Sequence, residues 1–293
     1  MLLSVKIIKA IILVLTLISG LSMNSSIITE YCRTWSQKHQ PAGYIVFSTT
    51  VTHLLLQCSI TLDGSLYLFF SYVRFVQEVY ILDLIILYFL IELSFWHATW
   101  LSVYYCLKLV NLPNQFFIQM KLWFSPCVPL LLLGSLIGSL VINIPLLWTL
   151  QITFHPNMTD HTLEIHYPHI IFNLMFGCFF PFLITFTSIV LSIRSLLSHI
   201  MKMKNGENNF RRPQLKAHGG AVKTMATRLI LDLILCLVSV GLLMAKLRVD
   251  IVVDMLCWLF LMLYSTFQSI IFIVGNPKLK TNIFPCSRTM RRH

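Results

Sequence analysis

Long runs of apolar residues recur along the whole chain and are separated by short polar stretches. A helix needs about 20 apolar residues to cross a bilayer, whereas a barrel strand needs about ten with strict alternation, which these runs lack. Seven runs are long enough, at residues 7–29, 42–62, 79–107, 125–150, 169–197, 221–245 and 250–275. The pattern therefore predicts an all-α fold in which seven transmembrane helices form one domain over residues 1–293, with a short basic tail at 276–293.

Composition supports a membrane-embedded chain. Of its 293 residues, 57% are hydrophobic and 11% are charged, whereas a soluble domain has roughly 25% charged residues. The mean hydropathy is +0.78. These values exclude an ordinary soluble domain, and apolar runs spread from end to end exclude a disordered chain.

The distribution of positive charge predicts the orientation. If the N-terminus is extracellular, sixteen of the 22 Lys and Arg residues lie on the inner side, five lie on the outer side, and Arg228 lies within a span. Cytoplasmic loops carry such an excess, so we expect a cytoplasmic C-terminus. This distribution accounts for the net charge of +11 without a role in nucleic-acid binding. The basic inner face can also bind acidic membrane lipids. A signal peptide around Lys6 and Lys9 is the alternative, and it would leave six spans.

The motifs that would indicate other classes of protein are absent from the sequence. It contains no P-loop, HExxH, GxSxG or dinucleotide-binding motif, so we predict that the protein is not an enzyme and has no cofactor. No cysteine or histidine spacing indicates a metal site. A small transporter is an open alternative. It would need a path of polar residues through the membrane, and Glu92, Asp232 and Asp254 could supply a sparse one.

Several segments in chain order carry a family resemblance. They are Gly20 with Asn24, Trp35, residues 96–108 (WHATWLSVYYCLK), Pro181 with Phe182, Ser195 and Leu196 with His199, residues 216–224 (KAHGGAVKT) and residues 275–280 (GNPKLK). Together they resemble the bitter taste receptors, the taste receptor type 2 family of G-protein-coupled receptors. Vomeronasal type 1 receptors are the alternative within the same class, and the segment at 216–218 and the tail favour the bitter branch.

The resemblance implies a plasma-membrane receptor. Its partners would be a small-molecule agonist and a heterotrimeric G protein with a gustducin-like α subunit. The sequence leaves undecided whether the receptor also forms oligomers. It also implies site residues of three kinds. Expected to bind ligand are Leu87, Tyr88, Ile91, Glu92, Asn173, Asp254 and Trp258. Expected in an activation network are Asn24, His53, Arg228, Asp232 and Ser269. Expected to face the G protein are Lys108, His199, Lys216, His218 and Lys223.

Three assignments also follow from local spacing or composition. Glu92 is a carboxylate in mid-span that suits a cationic ligand, or it is bonded to a neighbouring helix. Arg228 and Asp232 are four residues apart and able to pair on one helix. Asn157 starts an Asn-Met-Thr sequon in the loop after the fourth span, so we expect a glycosylation site there.

The chain departs from the family pattern at several of these positions. His53 stands where the family usually has Arg, Asp232 replaces a Tyr, and Gln268 replaces a His. In the third span, the family usually has Trp, Asn and His where this chain has Leu87, Ile91 and Glu92. The ligand site of other members is therefore a poor guide to the one in this chain.

Overall fold

The computed structural model describes residues 2–34, 41–69, 76–110, 114–154, 161–165, 167–204, 212–248 and 251–283. The helices are α1 (Leu2–Thr34), α2 (Pro41–Phe69), α3 (Gln77–Leu109), α4 (Gln115–Asn143), α5 (Leu146–Thr149), α6 (Tyr167–Leu174), α7 (Phe180–Lys204), α8 (Arg212–Arg248), α9 (Ile251–Gly275) and α10 (Pro277–Ile283). A π-helical turn, Met175–Phe179, joins α6 to α7. Two antiparallel strands, β1 (Leu150–Phe154) and β2 (His161–Ile165), form a hairpin.

The predicted helical, multi-span fold is confirmed. Six stretches of the described residues are long and apolar enough to cross a membrane, at 6–33, 41–66, 81–109, 117–148, 171–198 and 256–275. The long helix α8 packs against both α7 and α9 and supplies the seventh helix of the bundle. The predicted fifth span corresponds to α6, the π-helical turn and α7 in succession, and the predicted sixth span lies within α8.

Several helix boundaries differ from the predicted spans. The fourth span was predicted at residues 125–150, and the apolar stretch does extend to Trp148, but the helix is interrupted because α4 ends at Asn143 and the short α5 follows before β1 begins at Leu150. Pro145 explains the break, since proline lacks the N–H group that a continuous helix needs at that position. The resulting hairpin is a small exception to the all-α prediction. In addition, α8 begins nine residues before the predicted span, and α10 forms within the predicted tail.

Two apolar layers fill the interior of the bundle. One layer joins the C-terminal parts of α1, α3 and α9 to the N-terminal parts of α2 and α4, with Ile27, Ile45, Leu101 and Phe272 buried in it. The other layer joins the opposite halves of α1, α2, α3 and α9 to α8 and the π-helical turn. The polar residues described below are buried among the same helices.

Large apolar side chains also cover the outside of the bundle. On α4, Leu122 and Trp123 are 70% and 74% exposed. A soluble protein rarely exposes apolar side chains in such numbers, whereas lipid tails solvate them readily. The outer surface therefore supports a membrane location.

Candidate functional site

A buried network of polar side chains joins five helices at the centre of the bundle. We call it the central cluster, and its members are Asn24, His53, Ser94, Arg228, Asp232, Tyr264, Ser265, Gln268 and Ser269. Each of them is less than 5% exposed. A buried polar group is costly unless it is hydrogen-bonded, so the bonding of these groups determines how the helices can be arranged.

Asp232 of α8 is the principal acceptor of the central cluster. Its Oδ1 atom accepts hydrogen bonds from the Tyr264 hydroxyl at 2.8 Å and from the Gln268 amide nitrogen at 2.7 Å. Tyr264 and Gln268 are four residues apart on α9 and therefore share one face of that helix. One carboxylate oxygen thus connects α8 to α9 through two charge-assisted hydrogen bonds, which are the stronger kind.

The same carboxylate sets the direction of a hydrogen-bond chain that reaches α2. Tyr264 gives its one hydroxyl proton to Asp232, so Ser94, with its Oγ at 3.2 Å, donates to the Tyr264 oxygen. The proton of Ser94 is then committed, and the Nε2 atom of His53, 3.0 Å away, must be the donor to Ser94. His53 therefore carries its hydrogen on Nε2. Its Nδ1 atom has no hydrogen-bond partner among the described residues.

A second branch of the central cluster joins α1 to α9. The Ser269 hydroxyl donates to Asn24 Oδ1 at 2.8 Å, and Asn24 Nδ2 donates to the Gly20 carbonyl at 2.9 Å. The Ser265 hydroxyl donates to the backbone carbonyl of His53 at 2.9 Å. The predicted network residues Asn24, His53 and Ser269 therefore lie together, with Ser265 between them.

Arg228 is the least satisfied member of the cluster. Its Nε atom lies 3.9 Å from Asp232 Oδ2, and its guanidinium carbon lies 4.8 Å from the centre of the Phe272 ring. Within the described part of the chain, none of its three guanidinium nitrogens has a hydrogen-bond partner. The charge of Arg228 is thus balanced by Asp232 and by the face of an aromatic ring, without the hydrogen bonds that a guanidinium group usually makes.

A second polar site, which we call the lateral cluster, consists of Glu92, Asn143, Asn173 and Gly177. Asn143 of α4 donates to Glu92 Oε2 at 2.8 Å, and Asn173 of α6 donates to Asn143 Oδ1 at 3.1 Å. The site joins α3, α4 and α6. Glu92 is 1% exposed, and among the described residues its Oε1 atom has no hydrogen-bond partner.

Gly177 gives the lateral cluster its shape. This residue lies in the π-helical turn, and a Cβ atom added to it would be 2.5 Å from Glu92 Oε1. Only glycine therefore lets the turn approach the carboxylate this closely. Single π-helical turns within α-helices occur frequently at functional sites.

The residues predicted to bind ligand whose side chains are described fall in three neighbourhoods, and their role stays a prediction. Glu92 and Asn173 belong to the lateral cluster, and the bond between Glu92 and Asn143 corresponds to the interhelical alternative stated for Glu92. Leu87 and Ile91 belong to the apolar layer next to α8, whereas Tyr88 packs near Ile81 and Leu146.

Trp258 faces α1, because Lys9 Nζ lies 5.4 Å from the centre of its ring. It also packs against the apolar layer that contains Leu87 and Ile91, two other residues predicted to bind ligand. The side chain of Asp254, also predicted to bind ligand, lies outside the described residues.

Two of the residues predicted to face a G protein can be placed. Lys108 at the end of α3 and Lys223 near the start of α8 are both exposed. Their helix ends pack together through Leu109 and Val222, so both lysines lie at the same end of the bundle. The side chains of His199, Lys216 and His218 lie outside the described residues, as does Asn157.

Sequence reasoning missed four residues that hold these sites together, namely Ser94, Asn143, Tyr264 and Ser265. The spacing of Tyr264 and Gln268 on one face of an apolar helix was a usable signal. Asn143 was also visible as an amide near the end of a long apolar run. In lipid, such a group usually bonds to another helix.

Comparison with known proteins adds a family assignment to this geometry. The family model described as taste receptor protein matches residues 1–288. Taste receptor type 2 member 4 from Gorilla gorilla gorilla is 30% identical over 276 residues, which cover 89% of this chain and 90% of that protein. The human member 4 gives the same values. Member 1 from Chlorocebus aethiops is 32% identical over 244 residues, which cover 78% of this chain and 81% of that protein.

Proposed function

This chain belongs to the taste receptor type 2 family, and from that premise we propose that it is a G-protein-coupled receptor activated by small bitter compounds. It is a multi-pass membrane protein and not an enzyme. In our proposal it lies in the plasma membrane with its N-terminus outside and its C-terminus in the cytoplasm. The positive charge on the predicted inner loops supports that orientation.

The observation that carries the proposal is the set of hydrogen bonds centred on Asp232. A receptor needs two arrangements of its helices whose balance an agonist can shift. Asp232 binds α8 to Tyr264 and Gln268 of α9, and through Tyr264 and Ser94 it is linked to His53 of α2. A displacement of α8 away from α9 must break these bonds, so the cluster stabilises the resting arrangement.

An agonist acts by binding the displaced arrangement more tightly than the resting one. It can shift the balance only by that difference in affinity. The displaced arrangement then opens the end of the bundle where Lys108 and Lys223 lie, and a G protein with a gustducin-like α subunit binds there. The exposed lysines supply positive charge for an acidic partner surface, and no chemistry is performed on the agonist.

The test is a calcium assay in cells that express the full chain with a gustducin-chimeric α subunit and are exposed to a panel of bitter compounds. Surface receptor is stained in the same cells. We expect a dose-dependent calcium signal that disappears when the α subunit is omitted. Silence across a broad panel at normal surface density would contradict the proposal.

The Glu92→Gln variant tests which role the carboxylate has. If Glu92 binds cationic agonists, the variant loses its response to them while keeping its response to neutral agonists. Gln keeps an oxygen that accepts from Asn143, so helix packing is largely preserved. Equal responses to all agonists in the variant and the parent would remove Glu92 from the ligand site and leave it an interhelical role.

A further inference from the structure

The first part of α8 and the end of α9 meet at a glycine. Gly275 is the last residue of α9, and Thr224 follows the exposed Lys223 on α8. A Cβ atom added to Gly275 would lie 2.5 Å from Thr224 Oγ1, 2.6 Å from its Cγ2 and 3.1 Å from its Cβ. Carbon atoms in ordinary contact are about 3.5–4.0 Å apart. The two helices can therefore approach this closely only because residue 275 has no side chain.

Rotation of the Thr224 side chain cannot relieve this contact. Of the three staggered positions on its Cβ atom, two hold heavy atoms and the third holds a hydrogen. Both heavy atoms lie close to the added Cβ of residue 275, and rotation can vacate only one of their two positions. A side chain at 275 therefore has to push the two helices apart by about 1 Å at this point.

The contact is one of three along the same pair of helix faces. Thr224, Arg228 and Asp232 are spaced four residues apart on α8, so they share one face of that helix. In that order they meet Gly275, the Phe272 ring at 4.8 Å from the guanidinium carbon, and the Gln268 amide nitrogen at 2.7 Å from Oδ1. The glycine contact thus sets the helix spacing at the end of the row that leads to the central cluster.

The end of α9 is held in place by the segment that follows it. Asn276 Oδ1 accepts a hydrogen bond from the Leu279 N–H group at 3.3 Å, at the start of α10. Leu279 is buried in the apolar layer that α1 and α9 share, and Asn282 donates to Glu30 Oε1 of α1 at 2.6 Å. Because α10 ties the end of α9 to α1, a separation at Gly275 displaces α8 rather than α9.

We propose that Gly275 and Thr224 are positioning residues that set the resting distance between α8 and α9 at the end of the bundle where Lys108 and Lys223 lie. The effect on signalling rests on the proposed function, in which α8 moves away from α9. The contact itself does not, and it can be measured in a receptor for which no agonist is known.

The first experiment measures the contact by cross-linking the full-length receptor in cell membranes. The Cβ position at 275 is 3.1 Å from Thr224 Cβ, and the Cβ atoms of a disulfide are about 3.5–4.5 Å apart. The double variant Thr224→Cys with Gly275→Cys is oxidised with copper–phenanthroline and digested without reductant for mass spectrometry. We expect a linked peptide that contains both positions and that dithiothreitol removes.

The double variant Gly220→Cys with Gly275→Cys is the matched control. Residue 220 lies one turn before Thr224 on α8, and a Cβ atom there meets nothing within 4 Å. This pair should give no linked peptide. The proposal is overturned if the Thr224 pair stays unlinked or if the two pairs link to the same extent.

The second experiment measures basal signalling without any agonist. Gly275→Ala should raise the calcium signal per surface receptor several-fold, because the added methyl group holds α8 away from the end of α9. Loss of fold alone would lower the signal, so a gain separates positioning from stability. Gly220→Ala is the control and should match the parent. Adding Thr224→Ala to Gly275→Ala removes the two atoms nearest to the new methyl group and should return the signal toward that of the parent.

Each outcome of the two experiments has a distinct meaning. A Gly275→Ala receptor with the basal signal of the parent would overturn the positioning role, as would a raised signal that Thr224→Ala leaves unchanged. A cross-linked receptor should lose its response to the compounds that activate the parent, and dithiothreitol should restore that response. If the cross-linked receptor responds fully, the contact stands and the proposed movement of α8 is overturned.

Discussion

The central and lateral clusters are both buried in the bundle, yet they place their polar groups in different relations to the helices. The central cluster joins α1, α2, α3, α8 and α9, and it leaves the guanidinium group of Arg228 without hydrogen bonds. The lateral cluster joins α3, α4 and α6. At the contact between Glu92 and Asn143, both polar atoms of the Asn143 amide and Glu92 Oε2 are hydrogen-bonded, and Glu92 Oε1 has no partner among the described residues. The central cluster has unsatisfied groups that another helix arrangement can bond, whereas the lateral cluster is nearly saturated.

The difference indicates that buried polar groups have two roles in this membrane protein: some hold helices in place, and others allow the helices to rearrange. A nearly saturated site gains little from any rearrangement and therefore keeps its helices in place. A buried cation without hydrogen bonds raises the free energy of the present arrangement. Another arrangement in which Arg228 gains hydrogen bonds would therefore be stabilised relative to it. We therefore expect changes in the central cluster to alter signalling as well as stability, and changes in the lateral cluster to alter stability alone.

The largest effect is expected for Asp232→Ala. Removal of the carboxylate leaves Arg228 as an uncompensated buried charge, which should lower the free energy of unfolding by about 3–5 kcal/mol. Thermal unfolding of the detergent-solubilised receptor measures this loss. The double variant Asp232→Leu with Arg228→Met removes both charges and should recover most of the stability. An Asp232→Ala variant as stable as the parent would show that the interaction between Arg228 and Asp232 makes no net contribution to stability.

Gly177→Ala tests the lateral cluster at its closest contact. The added Cβ meets Glu92 Oε1, and overpacking of this kind costs about 1–3 kcal/mol. Combining it with Glu92→Ala removes the clash and should restore the thermal midpoint toward that of Glu92→Ala alone. Gly134→Ala is the matched control, because a Cβ there meets nothing within 4 Å. Equal midpoints for the two glycine variants would contradict the close approach.

Asn143→Ala should have an intermediate effect that is confined to stability. It removes the donor to Glu92 and the acceptor for Asn173, and interhelical hydrogen bonds in membranes contribute about 1–2 kcal/mol in model peptides. Thermal unfolding should shift accordingly, while the agonist concentration for half-maximal response stays within about two-fold, well under the ten-fold that 1.4 kcal/mol would produce. A larger change in agonist potency would assign signalling to the lateral cluster and break the comparison.

The smallest effect on stability, with a visible effect on signalling, is expected for Ser269→Ala. Loss of its bond to Asn24 should cost about 0.6 kcal/mol, the average for such bonds in a membrane protein. Basal calcium signalling should rise, because the resting arrangement loses a stabilising bond. Ser139→Ala is the matched control, since the Ser139 hydroxyl is buried without a partner among the described residues. Identical basal signals in the two variants would contradict a role for the α1–α9 branch.

The helices could be predicted from the sequence because the bilayer imposes a simple requirement of length and apolarity. The end of α4 was missed because Leu146, Leu147 and Trp148 continue the apolar run after Pro145, and hydropathy does not register a missing N–H group. The pair of Arg228 and Asp232 was predictable because both residues lie on one helix, where spacing alone fixes their neighbourhood.

Contacts between helices could not be predicted in the same way. Glu92 and Asn143 are 51 residues apart, and their meeting depends on how far α3 and α4 are rotated about their axes. Helices that are apolar on most faces give little information about that rotation. Asn24 and Ser269 were paired in advance only because the family resemblance supplied the contact. The orientation of Trp258 toward Lys9 had no comparable signal.

The contact between Gly177 and Glu92 also makes the two positions interdependent. The Glu92 side chain can keep its present place only while position 177 lacks a side chain. A larger residue at 177 would require another rotamer of Glu92 or a shift of the π-helical turn away from α3. Substitutions at the two positions are therefore expected to be non-additive, so that neither can be assessed in a background that changes the other.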